Sequence, residues 1–191
     1  MKFRTILTGS AAALAACAVV SSADAAISVI GNSIANSCYH TAEFGGDEDQ
    51  GIKTCTYALQ QEAMPIRDKA ATYINRGILR SRVGDPNGAL ADYNQGLGID
   101  PSLGEGYVDR GATYIALRQY DDALKDIDRG IEMGARQPHI AYYDRAIANE
   151  AVGNIRGAYQ DYKKAVELEP DFALANQQLS RFRVVRKSPG T

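Results

Sequence analysis

Three short stretches set an arginine beside a polar or acidic side chain: Tyr73-Ile74-Asn75-Arg76-Gly77, Tyr107-Val108-Asp109-Arg110-Gly111 and Tyr142-Tyr143-Asp144-Arg145-Ala146. An acid next to an arginine is a catalytic combination in principle, one group to move a proton and the other to hold an anion. Recurrence argues against that use, because a reaction needs one such pair whereas a repeated architecture needs one per unit. Other chemistry is sparse. His40 and His139 are the only histidines, and the chain lacks a His-Glu-x-x-His pair, a Cys-x-x-Cys, a Gly-x-Ser-x-Gly elbow and a phosphate-cradling glycine loop. The acidic run from Gly46 to Gly51 is too short for a calcium loop and reads as a solvated helix turn. His40, and His139 in a linker after Pro138, are read as surface residues. The expectation is therefore no catalytic residue, no cofactor and no metal site.

The 191 residues suffice for one ordinary domain or a short repeat array, and 45% apolar residues supply a core. A formal net charge of −2 argues against a general nucleic-acid or anionic-membrane binder, which needs a basic excess. Residues 1–25 read as a signal peptide: Lys2 and Arg4, then a small-residue apolar run, then Ala23-Asp24-Ala25, with cleavage expected before Ala26. Cleavage removes two cations and one anion, so the mature charge is −3. The expected location is exported, periplasmic; the alternative is a lipoprotein anchored through Cys17, since Leu14–Cys17 resembles a bacterial lipobox. Export leaves Cys38 and Cys55, an even pair that reads as one disulfide in an oxidising compartment.

The three stretches head a longer repeat. Counting from Tyr73, Tyr107 and Tyr142, small residues recur at Gly77, Gly111 and Ala146, and alanines at Ala89, Ala123 and Ala158. Aspartates recur at Asp92, Asp126 and Asp161, followed by Tyr93, Ile127 and Tyr162 and then Gly96, Gly130 and Ala165. Pro101 and Pro170 close the first and third units; the middle unit delays its proline to Pro138. Each unit reads as two antiparallel helices brought close by small residues. Asp85, Asp121 and Asn154 are expected to cap the second helices, and Pro86 suits a first helical position. The arginines Arg76, Arg110 and Arg145 stand sixteen residues before Asp92, Asp126 and Asp161, on the facing helix, so an ion pair is expected across each hairpin.

This pattern resembles the tetratricopeptide repeat (TPR), a 34-residue helical hairpin. The resemblance implies an all-α fold, a right-handed α-solenoid of antiparallel hairpins with a C-terminal capping helix. Residues 26–69 form a degenerate N-terminal hairpin in which Cys38 and Cys55 would staple the two helices, 70–171 hold three TPR repeats, 172–187 form the cap and 188–191 a tail. The first helix of each unit would line a concave groove. Its residues would be Ile74, Asn75, Ile78 and Arg82, then Val108, Asp109, Ala112 and Ile115, then Tyr143, Asp144, Ile147 and Glu150, with Asn75, Asp109 and Asp144 along the rim. The basic residues with which some TPR domains grip a C-terminal carboxylate are largely missing here.

Such a groove suits a helix or an extended peptide, and the alternative occupant is the chain's own Ala26–Ala35. The functional expectation is a non-catalytic interaction module of the bacterial envelope, whose partner is another envelope or exported protein. The alternatives are a self-associating structural protein and an envelope hydrolase on a helical scaffold.

Overall fold

A computed structural model describes residues 5–8, 26–29 and 33–186. Cys17, most of the leader and the tail 188–191 lie outside the described residues. Among the described residues are a strand β1 (Thr5–Thr8), then helices α1 (Ile34–Phe44), α2 (Glu48–Gln61), α3 (Ile66–Arg82), α4 (Pro86–Ile99), α5 (Gly104–Ala116), α6 (Tyr120–Glu132), α7 (Pro138–Ala151), α8 (Ile155–Leu168) and α9 (Ala173–Leu179), and a strand β2 (Arg183–Arg186). The helices pack as consecutive antiparallel pairs, α1 with α2, α3 with α4, α5 with α6 and α7 with α8, and each pair leans on the next. The result is an all-helical solenoid. None of the described helices is long and apolar enough to cross a membrane.

Local chemistry sets the helix ends. Asp47, Asp85 and Asn154 cap α2, α4 and α8 by accepting from the amides of Gln50, Gly88 and Gly157. Asp121 does not cap α6. That helix begins at Tyr120, so Asp121 and Asp122 lie inside its first turn, where their charge suits the helix dipole. Pro138 opens α7 rather than closing the middle unit, whose second helix ends at Glu132 and is followed by Gly134 in the left-handed region (φ 74°). His139 is therefore helical, with its ring 5.3 Å from that of Phe172.

Close packing depends on small residues at the crossings. A Cβ on Gly77 would stand 2.6 Å from the Tyr93 ring, and one on Gly130 would stand 2.4 Å from Val108. The core runs along the array in three clusters, centred on α1–α4, on α5–α7 and on α7–α9. Cys38 and Cys55 face each other between α1 and α2, with Cα atoms 4.9 Å apart, within the range a disulfide spans.

The C-terminal end departs from the expected cap. The helix over 172–187 is confined to Ala173–Leu179, and Arg183–Arg186 pairs antiparallel with Thr5–Thr8, a strand inside the segment read as a leader. Val184 and Val185 are β-branched and favour extended backbone, and Asn176 turns its side chain onto the carbonyls of Pro170 and Phe172 at the start of this helix.

Candidate functional site

Each recurring arginine joins three helices. Arg76 grips Asp92 through Nε and Nη2 at 2.9 and 2.7 Å. Arg110 does the same to Asp126 at 2.6 and 2.8 Å, and Arg145 to Asp161 at 2.9 and 2.7 Å. The remaining Nη1 reaches back to the second helix of the preceding unit: to Thr56 at 3.0 Å, Asn94 at 2.7 Å and Asp128 at 2.6 Å. Each guanidinium also sits over the ring of the tyrosine three residues earlier, at 5.5, 5.5 and 5.1 Å. The bond to Asp126 pushes the Arg110 pKa up, and the bond to Asp161 does so for Arg145. Five donors in one plane make arginine the side chain able to hold one carboxylate with two bonds and still serve a third helix. The pairs to Asp92, Asp126 and Asp161 follow from sequence spacing. The backward contacts do not, because their separations of 20, 16 and 17 residues share no common period.

Asn75, Asp109 and Asp144, one position before these arginines, point elsewhere. Adjacent helical residues lie about 100° apart, so as the arginines face the second helices these residues face the inner side. That inner side is identified by packing: α3 touches α5 and α5 touches α7, while among the described residues α4, α6 and α8 make no comparable mutual contact. The array thus curves around its first helices. All three residues are buried, at 0, 4 and 0% exposure, and do not stand on an open rim.

The cover over Asn75 is the chain's own Ala26–Val29. This segment has no regular secondary structure and is hydrogen-bonded side chain to backbone. Ile27 N–H donates to Asn75 Oδ1 at 2.8 Å, and Asn75 Nδ2 donates to the Ile27 carbonyl at 2.9 Å. Arg136, in the loop between α6 and α7, donates to the Ala26 carbonyl at 2.6 Å and is itself held by Glu105 at 3.1 Å. Arg67 approaches the Ser28 carbonyl at 3.5 Å. Ala26, Ile27 and Val29 are buried in the cluster formed with α1–α4 side chains, and Ser28 is exposed.

A side-chain amide is what this contact requires, since it donates and accepts at once, whereas a carboxylate only accepts. The asparagine in a series otherwise occupied by Asp109 and Asp144 was the available sequence signal. Arg136 had none, being in a loop outside the repeat pattern.

The segment is held weakly. Burying Ile27 and Val29 contributes about 2 kcal/mol each, and the three short hydrogen bonds add about 1 kcal/mol each. Ordering four residues costs about 5–6 kcal/mol. The net is about 1–2 kcal/mol in favour of docking.

The other groove candidates are placed as follows. Ile74, Ile78, Val108, Ile115 and Tyr143 are buried core residues and Ile147 is half-buried. Arg82 is half-buried and donates to the Ala42 carbonyl of α1 at 2.7 Å. Glu150 accepts from Tyr162 Oη at 3.3 Å and pairs with Arg181. Burial, with the nearby Glu150 charge, pushes the Tyr162 pKa well above the ordinary phenolic value. Among the described residues no cluster of histidine, cysteine and carboxylate side chains could hold a metal ion.

Residues 139–172 match the tetratricopeptide repeat model. The chain is 34% identical over 86 residues to human (Homo sapiens) serine/threonine-protein phosphatase 5, across 45% of this chain and 17% of that protein, so it spans less than a fifth of that relative. Among solved structures it resembles the first TPR of Spaghetti (RPAP3) bound to HSP90 peptide SRMEEVD, with TM-score 0.57 and 25% identity, covering 60% of this chain and 90% of that one. It also resembles MamA, with TM-score 0.64 and 21% identity, covering 78% and 82%. The fold is that of a TPR domain. These likenesses support the tetratricopeptide-repeat family for this chain.

Proposed function

We propose that this chain is a non-catalytic interaction module of the bacterial envelope, which docks an extended segment of another exported protein on the inner face of its first helices. The observation that carries the reading is the two-way hydrogen bond between Asn75 and the backbone of Ile27. A site that reads backbone recognises extended chain largely irrespective of its outward side chains. The RPAP3 domain, whose structure holds a peptide of a partner protein, supports peptide docking on this fold. Asp109 and Asp144 lie in register with Asn75, so charge complementarity favours a neutral or cationic segment over an acidic one. Export through the leader, with Cys38 and Cys55 joined in an oxidising compartment, belongs to the same proposal. Cleavage before Ala26 would take β1 with the leader and leave Ala26–Val29 as the mature N-terminus.

Photo-crosslinking in living cells tests the docking. A photoreactive residue at Ile147, one turn beyond Asp144 on α7, is expected to capture a partner, and one at the exposed Phe44 on α1 is not. Equal capture from both positions, or none from Ile147, contradicts groove docking. Capture of a second copy would replace the partner by self-association.

A further inference from the structure

We propose that Ala26–Val29 is a tethered ligand that gates the groove: a partner segment enters only where this one leaves. The inference rests on the docking reading above and adds to it a gate and a ligand chemistry.

Three observations carry it. First, the contacts made by Asn75, Arg136 and Arg67 go to backbone atoms of residues 26–28, so another extended chain could make the same bonds. Second, the side chains taken up are Ile27 and Val29, two residues apart, while Ser28 points to solvent. The ligand class is therefore an extended segment with β-branched residues at alternate positions and a small or polar residue between them. Third, the segment joins α1 within a few residues, since Ser33 already caps that helix by accepting from the Asn36 amide. The four-residue step from Val29 to Ser33 spans roughly 13 Å when extended. That is long enough to clear the site and short enough to keep the ligand at millimolar effective concentration.

The gate has a quantitative signature. If the segment is docked about ten times more often than not, a competing peptide binds with its apparent Kd raised about tenfold. With cleavage before Ala26, this intramolecular ligand is the free end of the mature chain, so nothing upstream needs to be threaded out for exchange.

The test uses the purified chain and a synthetic peptide of residues 26–32, Ala-Ile-Ser-Val-Ile-Gly-Asn, labelled at its C-terminus and followed by fluorescence anisotropy. Ile27→Asp with Val29→Asp expels the resident segment and is expected to tighten peptide binding about tenfold over the unaltered chain. Adding Asn75→Ala is expected to abolish that binding. Circular dichroism and thermal melting check that the helices persist. Should the double variant unfold, Ile27→Ala with Val29→Ala, which trims the resident segment and leaves Asn75, Arg136 and Arg67 in place, is used instead and is expected to tighten binding by a smaller factor. Equal affinity for the unaltered and opened chains overturns the gate, as does peptide binding that survives Asn75→Ala. The docking reading fails separately, through the crosslink at Ile147, because the peptide assay needs no partner.

Discussion

The first hairpin and the three that follow it solve one problem with different bonds. In α3–α4, α5–α6 and α7–α8 an arginine grips an aspartate sixteen residues later. In α1–α2 the equivalent bridge is Cys38 opposite Cys55, seventeen residues apart. The arginine does a second thing that the cysteine cannot: its Nη1 reaches the preceding unit at Thr56, Asn94 or Asp128. The α1–α2 hairpin is the first in the array, with no described helical unit before it. An arginine there would carry a donor with no such helix to serve. Joined as proposed, the cysteine pair would hold the hairpin and ask nothing of a predecessor. Connection to α3 comes instead from the other side, through Arg76 on Thr56 and Arg82 on the Ala42 carbonyl.

Breaking the ionic bridge in the middle of the array should have the largest effect. Arg110→Ala strips a nearly buried Asp126 of its partner and frees Asn94, and is expected to cost about 4 kcal/mol in urea unfolding. Replacing both partners, Arg110→Met with Asp126→Leu, should cost far less, because no stranded charge remains. A double replacement as costly as the single one would mean that the pair itself, and not the stranded carboxylate, sets the loss.

Breaking the bridge of the first hairpin should rank next. Cys38→Ala with Cys55→Ala is expected to lower stability by about 3 kcal/mol in the chain-entropy account of a loop this size. Reductant should lower the Tm of the unaltered chain towards that of the double variant and leave the variant unmoved. Free thiols at both positions in the purified exported chain would contradict the bridge.

The smallest effect sharpens the contrast through pH. Tyr162 lies buried on α8, the second helix of the third repeat. Its pKa is raised by burial and by Glu150, so the folded state favours the neutral phenol. That contribution is whole below the ordinary tyrosine pKa near ~10 and declines as pH rises beyond it. Denaturant titrations between about pH 8 and 11 should show stability falling on the alkaline side, with a shallower fall for Tyr162→Phe. An unchanged slope would place the alkaline sensitivity elsewhere, Tyr143 being the next candidate because burial and Asp144 raise it too.

Much of the scaffold was legible because it repeats. Tyr73, Tyr107 and Tyr142 set the period, and the Arg–Asp spacing then puts three ion pairs on facing helices. Asp85 and Asn154 announced their helices by capping chemistry. The failures come where tertiary context decides. Asp121 has the chemistry of a cap, yet α6 starts just ahead of it. Residues Arg183–Arg186 have an amphipathic composition that a helix could use, but they form a strand because one is paired to them. The groove stripe was expected on the first helix of each unit, and helical spacing cannot say what covers a stripe. Four residues outside the repeat do, and their clamp combines Asn75 with Arg136, which belongs to no periodic position.

Amide hydrogen exchange at Ile27 in the purified chain tests the central claim most directly. Docking worth about 1–2 kcal/mol predicts exchange slowed about tenfold relative to an unstructured peptide, with that protection lost in Asn75→Ala while α3 and α5 stay protected. Exchange of Ile27 at the free-peptide rate in the unaltered chain would contradict a groove occupied by its own N-terminal segment.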